Sequence, residues 1–384
     1  MDWKPALFGA ALIAAMSGGP ALAQEQDTSG NHAILIEAAT GDILFAKDAE
    51  TPMAPASMSK LMTLYMVFER LRDGRLSLDD TFNVSRNAWQ KGGTKSGSST
   101  MFLEPDSKVT VSDLIHGIII QSGNDACIVV AEGLAESEEA FAAAMTKKAR
   151  ELGLNHSTFA NSTGWPDPDH LMSAEDLAKL ALILIKEFPD YYPIFAETSF
   201  VHNGIKQSNR NPLLYEMEGA DGLKTGHTQD SGYGLTASAV RDGRRLILVV
   251  NGLASRKARA QESERLMQWG FREFGLYPLF SAGEEVDQAA VWLGEAASVP
   301  LIIPDAVTLA LPKLARQNMT VTVKYSGPLE APITAGETVG KVEVSAPGQD
   351  VRSFPLVAGA DVAQLGLWGR VNAAVRHILF GSSG

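Results

Sequence analysis

Cysteine is the scarcest residue of this 384-residue chain, with Cys127 standing alone. A single thiol closes no internal disulfide, which excludes a small disulfide-stapled secreted scaffold. Positive charge is also in short supply. Lys and Arg total 33 against 45 Asp and Glu, a formal net charge of −12, and no basic cluster offsets it. Nucleic acid is therefore excluded as a partner, because a phosphate backbone selects basic surfaces. The N-terminal apolar stretch, Ala6 to Met16, is too short to cross a bilayer. Two catalytic signatures are absent as well. None of the seven histidines falls in H-E-x-x-H, and no G-x-S-x-G occurs, so a zinc peptidase of that kind and an α/β-hydrolase triad have no support. No metal and no cofactor is expected. His170, in "DPDH", reads as a surface loop residue.

What is present begins with an export signal. Lys4 precedes the short apolar core, Gly18, Gly19 and Pro20 break it, and Ala21-Leu22-Ala23 has the small-x-small form of a cleavage site. Residues 1–23 are thus expected to be a signal peptide, with the rest of the chain outside the cytoplasm. The remainder is ordinary globular material, 45% hydrophobic and 20% charged, long enough for two domains. Cys127 lies in "NDACIVVAEGLA", apolar at helical spacing, and reads as a small buried residue.

Along the chain, "AILIEAATGDILFAKD" alternates apolar and polar residues about a Thr-Gly-Asp turn and predicts a β-hairpin. Leu61, Leu64, Tyr65 and Phe68 recur at helical spacing from Ser57 to about Leu71. "WQKGGTKSGSST" is polar and glycine-rich, which predicts a mobile loop that includes residues 91–99. Ser112 or Asp113 is the expected cap of a helix through Ile120; a break at "QSGN" follows, then a helix from about Asp125. Further helices are expected over 138–152, 174–187 and "ARAQESERLMQWGFREFG". "GADGLKTGHT" and "RRLILVVNGL" read as adjacent strands. The mixture predicts an α+β fold, or a sheet sandwiched between helices in three layers, over residues 24–280. Short strands between Gly and Pro turns predict a small all-β domain over 284–358. In the tail, 361–380, Leu365, Leu367, Trp368, Val371, Val375, Ile378 and Leu379 share one face of a helical wheel, with Arg370, Arg376 and His377 outside its centre. That pattern suits a helix lying in a membrane surface, against docking on the β domain or a dimer contact.

Three short patterns carry chemistry: Ser57-Met58-Ser59-Lys60, Ser122-Gly123-Asn124 and Lys224-Thr225-Gly226. Ser57 before an apolar run is placed as a helix cap, but a cap usually has Glu or Gln three residues on, and Lys60 has no acceptor to reach back with. If Ser57 opens the helix, Lys60 sits one turn along the same face and its amine reaches the hydroxyl. A serine needs a base to become a nucleophile, and a lysine is one when burial or a second positive charge lowers its pKa. Lys224 is the candidate second charge. Ser122, at a break between helices, can relay a proton to a leaving amine, and Asn124 can bind a substrate amide. Lys224 and Thr225 would attract a carboxylate, and Gly226 leaves room for a substrate backbone. Each pattern alone also fits a turn, a cap or an exposed strand end; their order and contexts together do not.

These patterns, with "AATGDILFAKDAETPMAPASMSKLMT", "SSTMFLEP", "GIIIQSGNDAC", "ADGLKTGHT" and "ESERLMQWGFREF", make the chain similar to the low-molecular-mass penicillin-binding proteins that act as serine-type D-alanyl-D-alanine carboxypeptidases. The resemblance spans nearly the whole chain. It implies a penicillin-binding/β-lactamase-like transpeptidase domain, followed by the small β domain and the amphipathic tail. It also implies that Ser57 attacks the peptide bond between two terminal D-alanines with Lys60 as base. The oxyanion would sit between the backbone N–H groups of Ser57 and His227. Thr225 and Arg259 would hold the substrate carboxylate, and Arg210, in "SNRNPLL", matches a family position near the substrate site. The implied partners are peptidoglycan stem peptides ending in D-Ala-D-Ala, β-lactams as covalent inhibitors, and the outer face of the cytoplasmic membrane through the tail, in the periplasm. Three rivals remain: a cell-wall-binding scaffold with a decayed site, against which intact Ser57, Lys60, Ser122, Asn124 and Lys224 argue, a D,D-endopeptidase of the same family, and a β-lactamase. For the β-lactamase, Glu151–Asn155 fits the Glu-x-x-Leu-Asn pattern of class A enzymes, yet it follows a helical stretch and reads as a helix end capped by Gly153.

Overall fold

The computed structural model describes residues 26–380, and of the tail the side chains at 373, 374 and 376–380 are outside the description. The expected signal peptide, 1–23, therefore lies outside the described residues, as do the side chains of Arg376, His377, Ile378 and Leu379.

The predicted hairpin is present as β1 (His32–Glu37) and β2 (Ile43–Lys47), turned at Gly41, whose φ of 77° needs no Cβ relief. Helices α1 (Lys60–Arg72), α2 (Asn124–Ala135), α3 (Glu138–Glu151) and α4 (Ala174–Glu187) build a helical body. Strands β3 (Ala220–Thr228), β4 (Gly232–Arg241) and β5 (Arg244–Leu253) follow, then α5 (Arg256–Glu273). The antiparallel sheet runs β2-β1-β5-β4-β3. One core cluster lies between the helical body and the sheet and holds Phe68, Ile118 and Val249; a second lies between the sheet and α5 and holds Leu35, Leu248 and Met267. The helices α3 and α4 take the expected spans because Ser137 and Ser173 each accept a first-turn N–H, from Ala140 and Asp176.

Several expectations change. The segments read as adjacent strands, now β3 and β5, are separated by β4. β4 alternates Leu235, Ala237 and Ala239 with Thr236 and Ser238, but all five are fully buried, so both faces of the strand are covered and its polar residues are small hydroxyls instead of a solvated face. Neither Ser112 nor Asp113 caps the next helix: the Thr110 hydroxyl accepts the Asp113 N–H, starting a helix over Val111–His116 that widens into one π turn, Gly117–Gln121. The glycine-rich loop is organised. Its first part is helical, Arg86–Gly92, and Ser96 Oγ donates to the Gly93 carbonyl at 2.7 Å. His170 is buried, not on the surface, because the chain folds back to bond Thr158 with Leu171 and Met53 with Met172; its Nδ1 accepts the Ala160 N–H at 3.3 Å.

Beyond α5, a six-stranded sheet includes Glu284–Trp292, Ser298–Ile303, Thr320–Tyr325, Thr338–Ser345 and Arg352–Ala358 around its own core of Val299, Leu301, Val342 and Leu356. The strand Phe274–Phe280 pairs with Val307–Pro312 and leads out of α5. Asp42, in the β1–β2 turn, ties the two parts together by accepting the Ala310 N–H at 2.8 Å and pairing with Arg352 at 2.6 Å. The tail forms α6 (Leu367–Phe380).

Candidate active site

Ser57 sits in a short 3₁₀ turn, Ala56–Ser59, immediately before α1. It is not a cap: no side chain at this helix start accepts a first-turn N–H. The turn is held from three sides. Ala56 takes a φ of 48°, a strained value for a residue with a Cβ. Met58 is fully buried beneath β3 and β4, where a Cβ on Gly234 would come within 2.7 Å of its methyl carbon and one on Gly226 within 2.8 Å of the Pro55 carbonyl. The space that Gly226 leaves is thus filled by the serine turn itself. Gly164, at φ 78°, presses from the opposite side, since a Cβ there would lie 2.0 Å from the Ala56 carbonyl.

Lys60 is fully buried, with Nζ 2.9 Å from Ser57 Oγ, 2.7 Å from Asn124 Oδ1 and in contact with the Thr163 carbonyl. Burial, reinforced by the Arg210 guanidinium, brings its pKa down to about 8. Lys224 is also buried and held well below the ordinary lysine range, first by burial and then by the Lys60 ammonium. The second positive charge acting on Lys60 is thus Arg210, not Lys224 as the sequence suggested, while the Lys60 ammonium acts on Lys224. Cys127, under both, is pushed up to about 12 by burial and stays a neutral thiol. Among the described residues no cluster of His, Cys, Asp or Glu suits a metal ion.

Ser122 occupies a left-handed conformation, φ 64° and ψ 33°, at the junction of the π turn and α2. That geometry aims its hydroxyl into the cleft, where Oγ has no protein partner. Asn124 opens α2, and its N–H donates to the Ser99 carbonyl at 2.7 Å. The next residue, Asp125, is fully buried and accepts from Thr100 Oγ1 at 2.6 Å, the Met101 N–H at 3.0 Å and the Leu103 N–H at 3.1 Å. One carboxylate thereby fixes the segment carrying Ser99 against the segment carrying Ser122.

Ser57, Ser122, Asn124, Arg210, Thr225, Gly226, His227 and Arg259 all line one cleft of about 830 Å³. Lys60 and Lys224 lie beneath its floor. Thr225 and His227 come from β3, the edge strand, whose outer side offers N–H groups that β4 does not use. His227 packs on Tyr233 with ring centroids 3.8 Å apart. Arg259, buried to 7% exposure, donates to the Arg210 carbonyl at 3.4 Å and keeps its Nε unpartnered; burial, with Arg256, lowers its pKa to about 10. Arg210 reaches Ser99 Oγ at 2.5 Å. Glu151 is elsewhere: it ends α3 exposed, pairs with Lys148 at 2.8 Å and does not line the cleft.

Sequence reasoning missed Thr163, Ser99, Asp125, Tyr233 and Arg256. For Arg256 a signal existed, since it lies three residues before Arg259 and shares its helix face. Thr163 acts through a backbone carbonyl, presented by a turn in which Asn161 Oδ1 accepts the N–H groups of Thr163, Gly164 and Trp165. Side-chain identity carries no trace of that use.

A family model described as D-alanyl-D-alanine carboxypeptidase matches residues 20–255. The chain belongs to this family. A second model, penicillin-binding protein 5 C-terminal domain, matches residues 274–364. Among curated D-alanyl-D-alanine carboxypeptidases, DacC of Escherichia coli is 37% identical over 88% of this chain and 85% of its own length. DacD of Salmonella typhimurium is 36% identical over 97% of this chain and 99% of its own. The crystal structure of penicillin-binding protein 5 from Haemophilus influenzae superposes with a TM-score of 0.78 at 34% identity, covering 89% of this carboxypeptidase-family chain and 100% of that one. Family and fold agree with the resemblance drawn from the motifs.

Proposed function

We propose that the protein is a serine-type D-alanyl-D-alanine carboxypeptidase that removes the terminal D-alanine from peptidoglycan pentapeptide stems and is acylated by β-lactams at Ser57. The observation that carries this reading is the Lys60 amine, buried and 2.9 Å from Ser57 Oγ with a pKa brought down to about 8. A neutral lysine has two N–H donors and one lone pair. Asn124 Oδ1 and the Thr163 carbonyl take the donors, which leaves the lone pair for the Ser57 proton. Ser57 Oγ then bonds to the carbonyl carbon as Lys60 takes that proton. The negative oxygen is stabilised by the Ser57 and His227 N–H groups. The C–N bond breaks as Ser122 relays the proton held by Lys60 to the departing amine, so D-alanine leaves and Lys60 is neutral again. Water then adds to the ester carbon as Lys60 takes one of its protons, the bond from the ester carbon to Ser57 Oγ breaks, and Lys60 returns the proton to Oγ, freeing Ser57. Asn124 orients the substrate amide, and Thr225 and Arg259 bind the terminal carboxylate, with Lys224 and Arg210 alongside.

The chain is further read as an exported protein, residues 1–23 serving as signal peptide, 24–280 as catalytic domain, 284–358 as β domain and 361–380 as a tail that lies in the outer face of the cytoplasmic membrane. Support for the tail comes from Leu367, Trp368, Val371 and Val375, exposed at 66%, 83%, 49% and 46%. No helix among the described residues is long and apolar enough to cross a membrane, so the tail's mode would be interfacial.

Labelling with a fluorescent penicillin tests the enzymatic reading. The native protein is expected to take the label and to release D-alanine from a pentapeptide, and Ser57→Ala to do neither. A native protein that takes no label refutes it.

A further inference from the structure

The cleft holds more positive charge than one terminal carboxylate requires. Arg210, Arg256 and Arg259 line it, and Asp230 is its one acidic lining residue. Arg256 is the first residue of α5, one helical turn from Arg259, so the two guanidinium groups leave the same face of the helix. They are held differently. Arg259 is buried, bonded to the Arg210 carbonyl, and its guanidinium lies 5.9 Å from the Tyr233 ring centre. Arg256 is exposed and makes no hydrogen bond or ion pair among the described residues. Its charge nonetheless reaches the site, since it lowers the pKa of Arg210, His227 and Arg259. A cation crowded by other cations and left without a counter-ion is a place where an anionic ligand group gains a charge-assisted, bidentate partner.

The direction of that site follows from the assignment just proposed, on which this inference rests. If Thr225 and Arg259 hold the carboxylate of the departing residue, Arg256, one turn before Arg259 on the same face of α5 and lining the same cleft, stands next to that carboxylate on the departing residue's side of the scissile bond. We infer that Arg256 is a specificity-determining residue of the leaving-group side, pairing with a second carboxylate on the side chain of the departing D-amino acid. The cleft therefore takes stem-type peptides ending in an acidic D-residue, such as D-glutamate, as well as those ending in D-alanine. The bonds made and broken are unchanged; only the departing amine differs.

The test compares two acyl-tripeptides identical except for a last residue of D-Ala or D-Glu, hydrolysed by the full chain and by Arg256→Gln and Arg256→Lys. The quantity read is the ratio of kcat/KM for D-Glu to that for D-Ala. In Arg256→Gln the ratio is expected to fall about tenfold, the effect of one charge-assisted pair at a half-open site. Arg256→Lys should keep most of it, because the charge remains. In the native protein, raising salt should lower the D-Glu value more than the D-Ala value, which tests the idea even if a variant folds poorly. A ratio unmoved by Arg256→Gln and by salt overturns the inference, as does a native protein that cleaves the D-Ala peptide but not the D-Glu peptide. A native protein that cleaves neither overturns the carboxypeptidase reading and this inference with it.

Discussion

Lys60 shows how a residue acquires chemistry from its surroundings. Full burial removes the water that would stabilise its ammonium form, and the nearby Arg210 adds to the penalty, so the amine titrates near pH 8. The deprotonated amine is the active form, and it grows as pH rises through that value. Penicillin acylation is accordingly expected to climb about tenfold per pH unit below 8 and to level off above it. A profile flat from pH 6 to 9 would contradict the assignment of Lys60 as base. Lys60→Arg keeps the charge but cannot lose its proton at any working pH, so acylation should drop by about three orders of magnitude. Gly164 works at the same scale. Its φ of 78° and the 2.0 Å approach of a built Cβ to the Ala56 carbonyl leave no room for a methyl group. Gly164→Ala should cost about 1–3 kcal/mol in chemical denaturation and slow acylation, by pushing the Thr163 carbonyl away from Lys60.

Among the elements, the long helices were legible, while the short helix Arg86–Gly92 and the loops were not. α4 declares itself through Ser173, a cap whose hydroxyl accepts the Asp176 N–H, followed by apolar residues at helical spacing. β4 is harder to read, because its alternation is built from small residues, Gly234, Thr236, Ala237, Ser238 and Ala239, with little apolar bulk, and both of its faces are buried. The loop at 156–172 misled in the other direction. Asp and Pro around His170 suggest exposure, yet the loop's return to Thr158 and Met53 covers the ring. Burial brings the His170 pKa down from 6.5 to about 4. An unfolded chain then binds a proton between those values that the folded one does not, so stability is complete above pH 6.5 and is lost as pH falls toward 4. His170→Gln should flatten that acid-side loss by about 3 kcal/mol in urea denaturation at pH 4 against pH 7. An unchanged acid slope would show that the ring is solvated.

For the whole molecule, the questions are how its parts are joined and where it works. Asp42 satisfies a strand N–H of the β region and pairs with Arg352, so the hairpin that begins the catalytic sheet is also a docking point for the C-terminal sheet. At the far end, Leu367, Trp368, Val371 and Val375 of α6 are exposed. Protein truncated before Asp361 is expected to lose most of its co-sedimentation with anionic vesicles while keeping penicillin acylation, since no residue of the cleft lies beyond Arg259. Equal sedimentation of both forms would reject the interfacial tail.

By itself the sequence determined the family and the chemistry-bearing side chains. Serine, lysine, asparagine and threonine act through functional groups written into residue identity, and their short spacings bind them to single turns of chain. Only the tertiary structure decided what surrounds them. That Lys60 is buried and lowered, that Met58 locks the serine turn under two glycines, that Thr163 offers a carbonyl and that Arg256 stands unpaired at the cleft are outcomes of segments brought together from far apart. Packing density, backbone carbonyls and local dielectric belong to that assembly, and no single stretch of sequence contains them.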